Sequence, residues 1–265
     1  MVEQAETWGR IAAANALNAC AASGRKPRSA SYTLQIPDEV TPSLLRAVEG
    51  GLDGVLRQRG VDIRGDGPAF LERGPAAIRT AVEVEPWARL SLLPRAGDYV
   101  MLSRPLGSDV LGEAYRRGIR TASQTRQWLA VCTRPDPPGI GPAGGREVGL
   151  LVGPGGLAET ALSLALALEL DVAIDAHRLP ALPGVVPHIF SGLSPESVAR
   201  NRSGCGRGFV VTRGVADAEA RLALSAEWTG GILWTSSAPT GQVVGQLRRP
   251  RHPRPVVRLL RSFLA

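Results

Sequence analysis

Leu44, Leu45, Val48, Leu52, Val55 and Leu56 recur at the spacing of a helix with one apolar face. The run opens on Thr41-Pro42, an N-cap followed by proline at the first helical position, and stops at Gly60. A second pattern, alternation with period two, marks strands at Ala30–Ile36 and Ile78–Val84. In the first, Tyr32, Leu34 and Ile36 share one face. Short apolar runs bounded by turn residues predict further strands at Val61–Ile63, Tyr99–Ser103, Glu147–Val152, Val172–Asp175, Phe209–Thr212, Gly231–Thr235 and Gln242–Leu247. Helices are predicted at Ser108–Arg117, Thr121–Val131, Leu157–Leu170 and Asp217–Glu227, and a short one opens at Ser194-Pro195-Glu196. Arg134–Gly145 is rich in proline and glycine and reads as a loop or linker. Val256–Leu264 reads as a short amphipathic helix ending a basic, proline-interrupted tail. The mixture predicts an α/β (α+β) chain of sheets with flanking helices.

One helix is of a different kind. Trp8–Pro27 reads WGRIAAANALNACAASGRKP. It is predicted to start near Thr7 and end near Ser23, with Gly24 as C-cap and Pro27 as a stop. Ala12, Ala13, Ala14, Ala16, Ala19, Ala21 and Ala22 leave so little side chain that another backbone can approach closely. Ile11 and Leu17 supply the bulk. Asn15 and Asn18 sit among them, and a buried amide needs a partner. On periodicity alone this is a tightly packed core helix.

Composition narrows the classes. The 265 residues allow one large domain or two small ones, and 44% hydrophobic content is ample for a core. At 5% aromatic, that core is built of Ala, Leu and Val. A formal charge of +7 raises the question of an anionic partner. Lys26 is the one lysine, however, so the charge is nearly all arginine, a bias that fits a GC-rich genome better than a nucleic-acid surface. Nucleic-acid binding by Arg248–Arg261 would rest on charge alone. Cys20, Cys132 and Cys205 form no CxxC pair, which argues against a disulfide framework or zinc site and fits a reducing cytoplasm. His177, His188 and His252 lack metal-ligand spacing, so no metal site is expected from them. The most apolar run, Thr160–Leu168, is far short of the roughly 20 residues of a membrane span. Glu3 and Glu6 argue against a signal peptide.

Several stretches carry a resemblance when taken in order. Gly9, Arg10, Ile11, Ala12, Ala13, Asn15, Ala16, Leu17, Ala22 and Gly24 match the helix F-G-[RQ]-I-A-A-x-N-A-L-S-D-V-Y-A-M-G-G. Gly97–Gly107 matches G-D-x-[LI]-[IVL]-L-[ST]-[KR]-P-L-G, and Trp228–Leu233 matches [DP]-Q-T-S-G-G-L-L. These motifs resemble those of selenophosphate synthetase (selenide, water dikinase), of the aminoimidazole ribonucleotide synthetase superfamily of ATP-using enzymes. The resemblance implies that family's two-part architecture. Residues 1–95 would be an N-terminal synthetase-like half used for dimerisation and nucleotide binding, 96–247 a C-terminal α/β domain, and 248–265 a basic tail.

The departures matter as much as the matches. The family's metal-ligand Asp falls on Ala19, with Asn18 at the preceding Ser. Another acidic position falls on Leu150, and a histidine on Glu159. In the family a Gly-rich segment, the catalytic Cys or Lys and Asp-rich strands for Mg-ATP precede the first helix. This chain opens almost at that helix and so reads as an N-terminally truncated, degenerate relative.

What remains for chemistry is a small set. Asn15, Gly153, Gly155, Gly230 and Gly231 are the nucleotide-binding candidates implied by the resemblance. Gly153–Gly156 can cradle phosphate at a helix start or be a plain strand-to-helix turn. Gly230-Gly231 can equally be a packing device. Asp66, in Arg64-Gly65-Asp66-Gly67, is a cation ligand or an exposed turn acid. Arg200-Asn201 matches the family's R-N near the active centre, where an arginine fork holds an anion, or it ends a surface helix. The reading that follows is a non-catalytic or partner-dependent protein. It would need no cofactor and would form a homodimer, or a heterodimer with an intact relative. Its bare strand edges Ala30–Ile36 and Ile78–Val84 would be the surface for that pairing. The rival is an ATP- and Mg²⁺-dependent phosphotransferase, or another enzyme reusing the cleft. It would draw on Asp66, Asp98, Asp109, Glu159, Arg200 and Asn201.

Overall fold

The computed structural model describes residues 5–37, 40–64, 68–71, 77–85, 93–116, 118, 121–136, 147–152, 156–175, 178–183, 209–211, 231–251, 253 and 255–260. The small-residue helix is α1 (Ala5–Ala22), and the amphipathic one is α2 (Pro42–Gln58). Thr41 caps α2 as its sequence requires, its side chain accepting from the Leu44 amide at 3.4 Å, with Pro42 in the first turn. The two helices meet backbone to backbone. A methyl group on Gly9 would overlap the Val48 carbonyl oxygen, and one on Gly51 would overlap that of Glu6. The close approach that the alanine-rich sequence permits is therefore used.

Beneath these helices lies a four-stranded sheet of β1 (Pro27–Pro37), β2 (Asp62–Ile63), β3 (Pro68–Leu71) and β4 (Ala77–Val84). Ala30, Tyr32 and Leu34 of β1 pack with Leu17, Val48, Leu52, Val55 and Leu56 in one cluster. Burial of each such leucine contributes about 1.5–3 kcal/mol. One edge of β1 pairs in parallel with β2 and then β3, and the other runs antiparallel to β4. Ala30–Ile36 is therefore not a bare edge, contrary to the sequence expectation. The strand β3, which no periodicity had indicated, completes one side of it.

The second sheet has seven strands in the order β6-β9-β5-β10-β7-β11-β8. They are β5 (Tyr99–Leu102), β6 (Gly149–Leu151), β7 (Asp171–Asp175), β8 (Phe209–Val211), β9 (Ile232–Ser236), β10 (Gln242–Arg248) and β11 (Val257–Leu260). The helix α5 (Gly156–Leu168) packs Leu157, Ala161, Leu164 and Ala165 into a core with Val100, Leu102, Ile174, Leu233 and Val244. Ala22 at the end of α1 packs in a separate cluster with Met101, Ile232 and Trp234. Two further helices, α3 (Ser108–Arg116) and α4 (Ala122–Cys132), close around Trp128, whose indole nitrogen donates to the Ser108 carbonyl at 2.9 Å. Thr121 and Gln124 form the capping box of α4. Ile11 of α1 joins that cluster, so α1 contributes to three of the packed clusters among the described residues.

One element differs in type from its sequence reading. The segment read as a helix within the tail is strand β11 over Val257–Leu260, parallel to both β7 and β8. Val256 and Val257 are buried, and the Val256 amide donates to Asp171 Oδ1 at 3.0 Å. A short apolar run lacks the length to separate buried strand from helix by period. The helices expected at Ser194–Glu196 and Asp217–Glu227 lie outside the described residues. Among the described residues no helix is long and apolar enough to cross a membrane.

Candidate functional site

The polar groups that the fold brings together lie where α1 meets the end of β5. Asn18 faces inward from α1 and is fully buried. Its Oδ1 accepts the Asp136 amide at 2.7 Å. Asp136 lies in the segment read as an unstructured linker, yet its side chain is 4% exposed. Its Oδ1 accepts from Arg104 Nε at 3.0 Å and Nη2 at 2.5 Å, and its Oδ2 accepts from the Ser103 hydroxyl at 2.7 Å. Ser103 in turn accepts the Ile232 amide at 2.7 Å.

Arg104 is 8% exposed and spreads its donors widely. Nη1 donates to the Val131 carbonyl and Nη2 to that of Arg134, each at 3.0 Å. From α2's end, Arg59 Nη2 donates to the Pro135 carbonyl at 3.2 Å and the Asp136 carbonyl at 3.1 Å. Residues 134–136 are thus pinned from α1, from Arg59 and from the end of β5. A buried charge is tolerated only when paired and hydrogen-bonded, and both charges here are.

Gly231, a nucleotide-binding candidate, belongs to this network as packing. A Cβ there would stand 2.8 Å from Arg104 Cγ and 3.6 Å from Ser103 Oγ, and the Gly231 carbonyl accepts the Val152 amide at 2.8 Å. Asn15, the other described candidate, is half-buried on α1, one turn before Asn18. Asp66, Gly153, Gly155, Arg200, Asn201 and Gly230 lie outside the described residues. Of the further acids considered, Asp98 accepts the Arg95 amide at 2.8 Å within a turn, and Glu159 is exposed in the first turn of α5. Ala19 is exposed on α1, and Leu150 of β6 packs against the main core.

Sequence reasoning missed Arg104 and Asp136 as partners. One signal was present: an arginine ends an apolar strand in Ser-Arg-Pro-Leu-Gly, and such an arginine, once buried, needs a carboxylate or carbonyls to accept from it. Two titratable groups among the described residues are perturbed, both elsewhere in the fold. Burial, the Asp53 charge and a hydrogen bond to Asp53 push the Tyr32 hydroxyl up to about 12. Burial raises the Cys20 thiol, which marks it as inert packing.

Comparison with known proteins follows the same outline. No family model matches the chain. It is 29% identical over 251 residues to the selenide, water dikinase of Nitratidesulfovibrio vulgaris strain DP4, covering 88% of this chain and 68% of that protein. It is 30% identical over 233 residues to that of strain DSM 19637 / Miyazaki F, covering 85% and 66%. The chain therefore spans about two thirds of the length of these relatives. Among solved structures, thiamine-monophosphate kinase from Stenotrophomonas maltophilia K279a superposes with a TM-score of 0.68 at 17% identity, covering 96% of this chain and 79% of that one. The hydrogenase maturation protein HypE in complex with ATP gives 0.62 at 16%, covering 92% and 71%. The chain resembles selenide, water dikinases in sequence and has the aminoimidazole ribonucleotide synthetase fold.

Proposed function

We propose that this selenophosphate-synthetase-like chain works by assembling with a second chain, a further copy of itself or an intact relative, and turns over no ATP of its own. The observation that carries this reading is how the junction of α1 and β5 spends its polar groups. Asn18, Ser103, Arg104 and Asp136 bond to one another and to backbone, and Gly231 packs on Arg104. The positions that resemble family carboxylates hold Ala19 and Leu150, neither of which offers a side-chain oxygen to Mg²⁺. That donor set does not fit Mg-ATP, and no phosphoryl-transfer step is routed through it.

The surface that supports assembly is β4. Among the described residues it pairs with β1 alone, and Arg79, Ala81 and Glu83 alternate outward along it. An eight-residue strand with one edge unpaired among the described residues is a template for another strand. The test is thermal unfolding with and without Mg-ATP, with mass measured on the same sample. A dimer mass and an unmoved midpoint support the reading. A Mg-ATP shift overturns it, since ligand binding to the folded state raises the midpoint by mass action.

A second reading, an ATP- and Mg²⁺-dependent phosphotransferase acting on another small molecule, is favoured by the fold neighbour solved with ATP. It rests on Asp66, Arg200 and Asn201. Its test is loss of turnover in Asp66→Ala or Arg200→Ala at an unchanged unfolding midpoint.

A further inference from the structure

Beside the junction lies a cavity of about 560 Å³, bounded by the end of α2, the first half of α1, the end of α4 and residues 133–136. Small-molecule sites span about 300–1,000 Å³. Its lining residues include four arginines, Arg10, Arg59, Arg104 and Arg134, and one acid, Asp136. Arg104 takes that carboxylate. Arg59 gives Nη2 to the Pro135 and Asp136 carbonyls. Arg134 enters the network through its carbonyl oxygen, with its side chain at an exposed position.

Charge and shape then point the same way. Among the described lining residues no second carboxylate offsets Arg10, Arg59 and Arg134. Concentrating like charge in a concave site raises the local concentration of an opposite ion. Guanidinium forks match the oxygen geometry of phosphate. Val55, Ala130 and Pro135 supply an apolar wall beside them. Arg10 itself stands away from the α1 position that resembles the family's metal ligand. Arg10 precedes Ala19 by nine residues, which places it on the opposite face of α1 and roughly 13 Å away along the axis.

We infer that this cavity binds a small organic phosphate monoester, its phosphate held by Arg10, Arg59 and Arg134 and its apolar body against the Val55–Pro135 wall. The inference does not rest on the assembly reading, and the test omits Mg²⁺ and nucleotide so that the two fail independently.

Phenyl phosphate is titrated into the full chain by calorimetry at fixed ionic strength, with inorganic phosphate and benzoate as comparators. Saturable one-to-one binding is expected, tightest for phenyl phosphate. Arg10→Gln and Arg134→Gln each weaken it about tenfold or more, the scale of one charge-assisted contact. Arg251→Gln, at an exposed position in the tail, leaves it unchanged. Binding that Arg10→Gln and Arg134→Gln do not weaken overturns the site. Equal affinity for benzoate overturns the phosphate class, and absence of saturation overturns both. If a glutamine variant loses its fold, phenylglyoxal modification of the wild-type chain decides. Protection of Arg10 and Arg134 by phenyl phosphate supports the site, and equal modification with and without it overturns the proposal.

Discussion

Asp136→Ala is expected to destabilise the chain by about 3 kcal/mol, the lower end of the range for removing one partner of a buried ion pair. A guanidinium keeps its charge inside a protein, so the loss cannot be relieved by neutralising the partner, Arg104. Its charge therefore stays at a position 8% exposed, with Nε left without an acceptor. Three features hold the cost at the low end. Nη1 and Nη2 keep the Val131 and Arg134 carbonyls. Ser103 keeps the Ile232 amide. The Asn18 and Arg59 bonds go to backbone atoms of residue 136 and survive the substitution. In equilibrium urea unfolding, with a slope of about 3 kcal/mol/M, the midpoint falls by about 1 M. Asp136→Asn keeps one oxygen for Arg104 but loses the charge and the acceptor of the Ser103 hydroxyl, so it falls by less than the alanine variant, about half as much. Replacing both partners by apolar residues is often neutral at a buried pair. Here Arg104→Met with Asp136→Leu is expected to stay destabilised, because the Val131 and Arg134 carbonyls lose their donor. A loss in Asp136→Ala below about 0.5 kcal/mol, the level of surface substitutions, refutes the network as the fastening of residues 134–136. Full recovery in the double variant refutes the role given to those carbonyls.

Gly51→Ala sets a methyl group on the Glu6 carbonyl and forces α1 from α2, at a cost of about 1–3 kcal/mol read from the unfolding midpoint, whereas Gly54→Ala faces open space and is neutral or stabilising by up to about 1 kcal/mol. Equal effects at the two positions would refute the close approach. Tyr32 holds its proton up to about 12 in the folded chain against about 10 unfolded, so its contribution is complete below about pH 10 and lost as pH rises through 12. Tyr32→Phe is expected to flatten the fall in urea midpoint between about pH 10 and 12, and an unchanged alkaline slope would refute the burial and Asp53 account. Deleting residues 249–265 removes β11 from between β7 and β8 and takes the Val256 amide from buried Asp171. Loss of the folded state at any salt concentration is expected, and a wild-type midpoint in the deletion would refute the strand.

What the sequence made legible was local chemistry. Thr41-Pro42 caps the helix it was expected to cap, because an N-cap acts within three residues. The alanine-rich face of α1 announced a close neighbour, and Gly9 and Gly51 show where it lies. Contacts without local period were not legible. Arg104 and Asp136 are 32 residues apart, and Asn18 is 118 residues from Asp136. Nothing in the Pro- and Gly-rich stretch Arg134–Gly145 marks its one acid, Asp136, as buried. The tail misled for a related reason, since a strand sandwiched between two others reads as a plain apolar run.

Gly231 and Arg104 carry a different lesson. Both fall in stretches that match selenophosphate synthetase motifs. A motif glycine lets a backbone approach either a ligand or a neighbouring side chain, and sequence gives both uses the same letter. Here the neighbour is Arg104, itself a motif position, and the pair lies at the end of β5 beside a buried carboxylate. Retaining these residues is therefore accounted for by the fold. A chain can keep such motifs because its core would fail without them, while Ala19 and Leu150 stand where the resemblance places carboxylates. Motif matches of this kind are an argument for architecture, and an argument for turnover has to come from groups the fold does not already consume.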